Sequence, residues 1–77
     1  MRVTIEMYGP FQQFNKGGQR RAELDLEDGI TVRDLLASLG VDVNEPWNAG
    51  LNGTLASPSD RVSDGAFLIV FPPIEGG

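Results

Sequence analysis

The residues with the most distinctive chemistry stand at the end of the sequence, which reads FPPIEGG over residues 71–77. Because glycine has no Cβ, Gly76 and Gly77 can pass through a slot that rejects any larger residue. An α-carboxyl group has a reference pKa of about 3.3–3.7, so at neutral pH it is an anion and a poor electrophile. It enters acyl chemistry only after activation, for instance as an acyl-adenylate. We therefore expect Gly77 to be a covalent attachment site that another enzyme activates.

Two prolines separate these glycines from an apolar run, AFLIVF, over residues 66–71. Pro72 and Pro73 lack a backbone N–H and fix φ, so a strand does not continue through them as a central ladder. They favour an extended, semi-rigid spacer. Residues 72–77 reach roughly 20 Å when extended, enough to enter the buried active site of a partner. The pattern predicts a folded domain over residues 1–71 and an extended Gly-Gly tail over residues 72–77.

The remaining inventory of reactive side chains is small. The sequence has no cysteine and no histidine, and Lys16 is its single lysine. The missing cysteines exclude disulfides and thiolate metal sites, and the missing histidines remove the usual general base and the commonest metal ligand. Neither glycine pair sits in a phosphate-binding pattern. We expect no metal site, no bound cofactor and no catalytic site of the chain's own.

Charge and hydropathy exclude further classes of partner. The formal net charge is −5 and the sequence pI is about 4.3. Phosphate backbones and anionic membranes both disfavour such a surface. We expect the alternating first ten residues to form a strand rather than a signal peptide, and no apolar run approaches the roughly 20 residues of a membrane helix. We expect a cytoplasmic protein that binds neither nucleic acid nor membrane.

Hydrophobic periodicity predicts the elements that hold this tail. Apolar side chains occupy every second position in residues 2–8 and again in residues 20–28, which is the pattern of half-buried strands. A long loop over residues 9–18 joins them as an antiparallel hairpin. Thr31 then caps a helix from Val32 to Leu39, whose apolar stripe is formed by Val32, Leu35, Leu36 and Leu39.

The second half of the sequence completes a mixed sheet. Gly40 suits the left-handed end of the helix, and Asn52-Gly53 predicts a tight type I′ hairpin turn. The apolar run at residues 66–71 reads as a buried strand at the centre of a sheet, beside a parallel neighbour. If that neighbour is the first strand, the helix crosses one face of a small mixed sheet. Together these elements predict an α+β, β-grasp (ubiquitin-like) fold, with four to five strands and one main helix packed on one face.

Residues 52–77, NGTLASPSDRVSDGAFLIVFPPIEGG, resemble the C-terminal part of the MoaD/ThiS family of small sulfur-carrier proteins. The helical segment TVRDLLASLG, which follows LEDGI, also resembles this family. The loop over residues 9–18 departs from it, because the loop lacks the Arg-Glu stretch of many MoaD proteins. That departure leaves the client pathway open.

The resemblance implies a specific reaction sequence. A MoeB-like enzyme uses ATP in trans to adenylate the Gly77 carboxylate, and a sulfur donor converts the adenylate to a thiocarboxylate. A MoaE-like large subunit of molybdopterin synthase then receives the tail, and the sulfur passes to the precursor of the molybdenum or tungsten cofactor. The resemblance implies a carrier subunit rather than an enzyme, with a partner-binding surface formed by Phe71, Pro72, Pro73, Ile74 and Gly76.

Three alternatives remain open at the level of the sequence. A ThiS-like carrier would deliver sulfur to thiazole and thiamine synthesis or to another thiolation pathway. A ubiquitin-like modifier would form isopeptide bonds through Gly77. A plain β-grasp interaction domain would make no use of the tail. Trp47 is either an exposed partner contact or, as a lone tryptophan more often is, a packed side chain.

Overall fold

The computed structural model describes residues 1–73 of the chain. Its regular elements are β1 (Arg2–Met7), β2 (Arg21–Asp25), α1 (Val32–Ser38), β3 (Asn48–Leu51), β4 (Thr54–Leu55) and β5 (Phe67–Phe71). Two short 3₁₀ segments, Gly9–Phe14 and Lys16–Gly18, occupy the predicted loop between β1 and β2.

The strands form one mixed sheet in the order β2-β1-β5-β3-β4. Strand β5 lies at the centre, parallel to β1 and antiparallel to β3, while β2 and β4 pair antiparallel with β1 and β3. The parallel pair formed by the first and last strands was the key feature of the predicted topology. The β-grasp fold class is therefore confirmed, with five strands in the sheet.

The helix follows its predicted signals closely. Thr31 has an extended backbone, and its Oγ1 accepts a hydrogen bond of 3.1 Å from the backbone N–H of Asp34. This cap satisfies one of the N–H groups that the first helical turn leaves without a partner. The predicted stripe is buried at Val32, Leu35 and Leu36. The helix is one residue shorter than predicted because Leu39 is its C-cap, half-buried, and the chain then turns at Gly40 with φ of 98°.

One face of the sheet packs on this helix and forms the core. The large, fully buried side chains of that face belong to β1 and β5: Val3, Ile5, Met7, Leu68 and Val70. Each aliphatic side chain buried in this way contributes about 1.5–3 kcal/mol relative to exposure. Trp47 joins the edge of the same core, half-buried, and its Nε1–H donates to the carbonyl of Val43 at 3.1 Å. The core thus holds Trp47 as a packed side chain.

The β3–β4 turn also forms as predicted. Asn52 and Gly53 have φ values of 51° and 86°. Positive φ at both central residues is what a type I′ turn requires, and Asn and Gly tolerate that conformation best. The turn places Leu55 of β4 opposite Gly50 of β3.

The prediction for the last strand was wrong in one respect. Leu68 and Val70 of β5 are buried, but Phe67, Ile69 and Phe71 are only half-buried. These three side chains point to the face of the sheet that α1 does not cover. One helix shields one face of a sheet, so a strand that is apolar on both faces leaves its outer side chains partly in water. We call this second face of the sheet the open face.

Candidate functional site

A single row of residues crosses the open face through all five strands. The register pairs Arg21 of β2 with Glu6 of β1, Glu6 with Ile69 of β5, Ile69 with Gly50 of β3, and Gly50 with Leu55 of β4. Along this row the chemistry changes from charged to apolar at the boundary between β1 and β5. The open face therefore has a charged half, on β1 and β2, and an apolar half, on β5, β3 and β4.

The apolar half contains a shallow cleft of about 300 Å³, lined by Gly50, Gly53, Thr54, Leu55, Ile69 and Phe71. Leu55 is 73% exposed, and it is the only large hydrophobic residue so exposed in residues 1–73. Gly50 contributes to the cleft by having no side chain, which leaves space between Ile69 and Leu55. Exposed apolar surface of this kind, next to polar surroundings, is typical of a protein-binding site.

The charged side chains of the charged half form salt bridges with one another. The Glu6 carboxylate accepts hydrogen bonds from the Tyr8 hydroxyl at 2.6 Å and from Arg21 Nε and Nη2 at 2.8 and 2.6 Å. Tyr8 first and Arg21 second lower the pKa of Glu6 below its usual value, because both favour the ionised carboxylate. The same contact raises the pKa of Tyr8. At the other end of the sheet, Arg2 pairs with Asp25 at 3.3 Å.

The chain leaves the sheet at the corner of the apolar half. Phe71 is the last residue of β5 and lies half-buried opposite Asn48. Pro72 follows, half-buried, beside Gly9, and a Cβ placed on Gly9 would lie only 3.3 Å from Pro72 Cγ. The N–H of Tyr8 donates to the carbonyl of Val70 at 2.9 Å, which fixes the neighbouring backbone. We call Phe71, Pro72 and their contacts with Tyr8 and Gly9 the tail root.

The structure describes only part of the predicted site. Phe71 belongs to the apolar half, Pro72 to the tail root, and Pro73 is exposed immediately beyond them. Ile74, Gly76 and Gly77 lie outside the described residues, so their assigned roles stay predictions.

Sequence reasoning missed the rest of the apolar half, namely Gly50, Leu55 and Ile69. Two signals were available: the alternation of β5, which gives every second apolar side chain to one face, and the Asn52-Gly53 turn, which sets the register of β3 and β4. It also missed the network of Glu6, Tyr8 and Arg21, which no local pattern marks.

Two kinds of feature are absent from residues 1–73, the part of the chain that the structure describes. In that part of the chain, no cluster of three or more histidine, cysteine, aspartate or glutamate residues is arranged to hold a metal ion. Nor does that part contain a helix with the length and apolar character needed to cross a bilayer.

The fold and a family comparison together define the class of protein. A mixed sheet with one helix on one face is the β-grasp fold of the solved SAMP1 and ThiS structures. The ThiS family model matches residues 5–77, and the chain belongs to this family. The resemblance to MoaD/ThiS proteins is thereby confirmed, and the chain is a small carrier-type domain of the ThiS/MoaD or ubiquitin-like modifier kind.

Solved structures with this fold include members of both kinds. The putative molybdopterin converting factor, subunit 1, from Pyrococcus furiosus superimposes with a TM-score of 0.75 at 25% identity, over 96% of this chain and 99% of that one. The small archaeal modifier protein 1 from Haloferax volcanii gives 0.75 at 22% identity, over 95% and 98%. A chain in the complex of subunits 1 and 2 of the molybdopterin-converting factor from Helicobacter pylori gives 0.62 at 19% identity, over 100% of both chains.

Proposed function

We propose that this chain is a sulfur carrier for molybdopterin biosynthesis and acts as the small subunit of molybdopterin synthase. A MoeB-like enzyme joins the Gly77 carboxylate to the AMP portion of ATP and releases pyrophosphate. A sulfur donor then displaces AMP, which leaves a thiocarboxylate on Gly77. After the sulfur passes to the pterin precursor, water takes its place on the acyl carbon and regenerates the carboxylate.

The observation that carries this proposal is the continuity of the apolar half with the tail root. Ile69 and Phe71 alternate on β5, and Pro72 follows Phe71 directly. A partner that covers Leu55, Ile69 and Phe71 would therefore also receive residues 72–77. Covering apolar surface gains about 25 cal/mol per Å² removed from water. In this proposal the apolar half supplies binding energy, the tail residues add further contacts with the partner, and Gly77 supplies the reacting atom.

The proposed partner on this face is a MoaE-like large subunit. Support comes from the Helicobacter pylori neighbour, whose structure is a complex of subunits 1 and 2. It also comes from the Pyrococcus furiosus neighbour, a putative molybdopterin converting factor subunit. The composition of the apolar half fits such an interface, since the buried core of an interface is apolar and enriched in aromatic side chains such as Phe71.

The test uses the full chain and a variant that lacks Gly77. Each is incubated with the MoeB-like enzyme, ATP and a sulfur donor, and its intact mass is measured. We expect the full chain to exchange one oxygen for sulfur at Gly77 and then to support molybdopterin formation with the large subunit. The truncated variant should do neither, while circular dichroism shows the same fold. Full sulfur transfer by the truncated variant would refute the carrier role.

A carrier for molybdopterin synthesis and a carrier for thiazole synthesis can be distinguished by the product that each supports. The family model is that of ThiS, which favours a carrier for thiazole synthesis as the second candidate. The thiocarboxylated protein is therefore offered in parallel to the large subunit with pterin precursor and to a thiazole-forming system. If product forms only in the thiazole-forming system, the chain is a sulfur carrier for thiazole synthesis and the proposed molybdopterin role is rejected.

The similarity to a small archaeal modifier protein favours a third test. The chain is tagged at its N-terminus, and host proteins are searched for conjugates of higher mass on lysine side chains. Conjugates that disappear when Gly77 is deleted would identify a modifier, with or without the carrier role.

A further inference from the structure

The backbone of Arg20 is fixed from two sides. Its carbonyl oxygen accepts a hydrogen bond from the N–H of Met7 at 2.8 Å and another from Asn15 Nδ2 at 2.9 Å. Asn15 is 4% exposed, and it is the only buried polar residue in residues 1–73. Burying an amide is unfavourable unless it is hydrogen-bonded, so an asparagine in the core is expected to have a specific partner. Asn15 Nδ2 has the carbonyl of Arg20 as that partner, whereas Asn15 Oδ1 is buried without a hydrogen-bond partner in residues 1–73.

The side chain of Arg20 is also held in place. Its guanidinium carbon lies 5.0 Å from the centroid of the Tyr8 ring, which is within the range of a cation–π contact. Tyr8 is itself anchored, because its hydroxyl donates to Glu6 and Glu6 is bound by Arg21. Arg20 therefore rests on a ring that neighbouring contacts already fix, and it loses less freedom than a mobile arginine when it meets a ligand.

Arg20 and the arginines around it differ in whether a salt bridge pairs their charge. Arg21 pairs with Glu6 and Arg2 pairs with Asp25, whereas Arg20 is exposed and forms no salt bridge within residues 1–73. Its charge also lowers the pKa of Glu6, after the larger effects of Tyr8 and Arg21. It stacks on Tyr8 of the tail root, on a chain whose formal net charge is −5. A positioned cation thus stands at the rim of the open face, where the chain leaves the sheet.

We propose that Arg20 determines partner specificity by pairing with a carboxylate of the protein that covers the open face. The inference rests on the proposed docking of a partner over the apolar half. A partner that buries Arg20 without an acceptor would leave a desolvated charge, which is strongly unfavourable. An aspartate or glutamate at that point satisfies the planar guanidinium with two hydrogen bonds. A partner with a cation there is rejected, which is how charged rims discriminate between similar apolar surfaces.

The experiment compares Arg20→Glu with Arg33→Glu as a matched control. Arg33 is also exposed and also forms no salt bridge in residues 1–73, but it lies on α1, on the opposite side of the sheet. Both variants change the net charge equally. Dissociation constants for the MoaE-like large subunit are measured for full-length chains at low and at high salt.

We expect Arg20→Glu to raise the Kd at least about tenfold at low salt, and by less at high salt, where the repulsion it introduces is screened. Arg33→Glu should change the Kd by less than about twofold. Arg20→Lys keeps the charge but loses the planar fork, so its Kd should fall between wild type and Arg20→Glu. Equal effects of Arg20→Glu and Arg33→Glu would overturn the inference.

A third variant, Leu55→Asp, separates this inference from the proposed docking. Loss of binding in Leu55→Asp together with normal binding in Arg20→Glu would reject the role of Arg20 and leave the docking surface intact. Normal binding in Leu55→Asp would reject the docking surface itself, and the inference about Arg20 with it.

Discussion

The two halves of the open face belong to one sheet but differ in what they expose to water: one exposes paired charges and the other exposes apolar side chains. In the charged half, Glu6 has three hydrogen bonds from Tyr8 and Arg21. In the apolar half, Leu55 is 73% exposed and lies over a cleft that no described residue fills. The charged half has its interactions satisfied within the chain, whereas the apolar half gains free energy only when another molecule covers it.

This difference indicates that the apolar half supplies binding energy and that the charged rim supplies specificity. Covering the apolar half removes mainly hydrocarbon from water. Covering the charged half would strip water from ion pairs that are already formed, with little gain. The tail root adjoins the apolar half at Phe71, and the stacked Arg20 stands where the two halves meet the tail. The open face thus combines an apolar anchor with a charged rim.

The largest expected effect comes from placing a charge in the apolar half. Leu55→Asp should weaken binding of the large subunit by at least about thirtyfold, the size of a typical hot-spot residue. Since Leu55 is exposed, the midpoint of thermal unfolding should move by no more than about 4 °C. Binding is measured by calorimetry and unfolding by circular dichroism.

The control for this variant is Ser59→Asp, which adds the same charge to an exposed turn beside the helix. It should bind like wild type. Equal losses in Ser59→Asp and Leu55→Asp would mean that net charge, rather than the apolar half, controls binding.

An intermediate effect is expected at the tail root. Gly9 has φ of 59°, and an added Cβ would meet Pro72 at 3.3 Å, so Gly9→Ala combines backbone strain with displacement of the tail. Gly18→Ala has the same strain, at φ of 70°, but its Cβ would meet no atom within 4 Å. Each substitution should destabilise the fold by about 1–2 kcal/mol, measured by denaturant unfolding.

Only Gly9→Ala should also slow the transfer of sulfur, measured as product formed per thiocarboxylated chain. If Gly18→Ala slows transfer equally, the effect follows from lost stability, and the contact between Gly9 and Pro72 has no role in directing the tail.

The smallest effect is expected in the charged half and depends on pH. Because the folded-state pKa of Glu6 is lowered, its contribution to stability is present above the unfolded-state pKa, about 4.3, and is lost as the pH falls through the folded-state pKa. Glu6→Gln lacks this ionisation. Its stability should therefore be lower than wild type at neutral pH, and the gap should narrow as the pH falls below about 4.

The measurement for Glu6→Gln is the free energy of unfolding as a function of pH. Binding of the large subunit at neutral pH should change far less than in Leu55→Asp. A loss of binding as large as that of Leu55→Asp would show that the charged half is part of the interface and would remove the distinction between the halves.

Local signals in the sequence were sufficient for most of the fold. The cap at Thr31, the stripe of Val32, Leu35 and Leu36, and the Asn52-Gly53 turn depend on contacts within a few residues, and all three were confirmed. A central place for the last strand was also predicted from its apolar run, and its pairing with β1 followed from the β-grasp arrangement as a whole rather than from a local pattern. For the site, the tail motif predicted that Phe71, Pro72 and Pro73 belong to the partner-binding surface.

The rest of the site depends on residues far apart in the sequence. Glu6, Arg21, Ile69 and Leu55 lie in one row only because five strands align in one register. Arg20 and Tyr8 are separated by a loop of eleven residues, and nothing local pairs them. A pattern with period two tells which side chains share a face of one strand, but it does not tell which strands adjoin or whether a helix covers that face.

The sequence by itself determined the elements, their order and the family, because periodicity, capping and turn chemistry act over short distances along the chain. Tertiary structure alone decided that the outer side chains of β5 remain half-exposed, and that charge collects on one half of the open face while hydrocarbon collects on the other. The physical reason is that one helix covers one face of a five-stranded sheet. What the other face presents to a partner is set by strand register, which brings together residues from both ends of the chain.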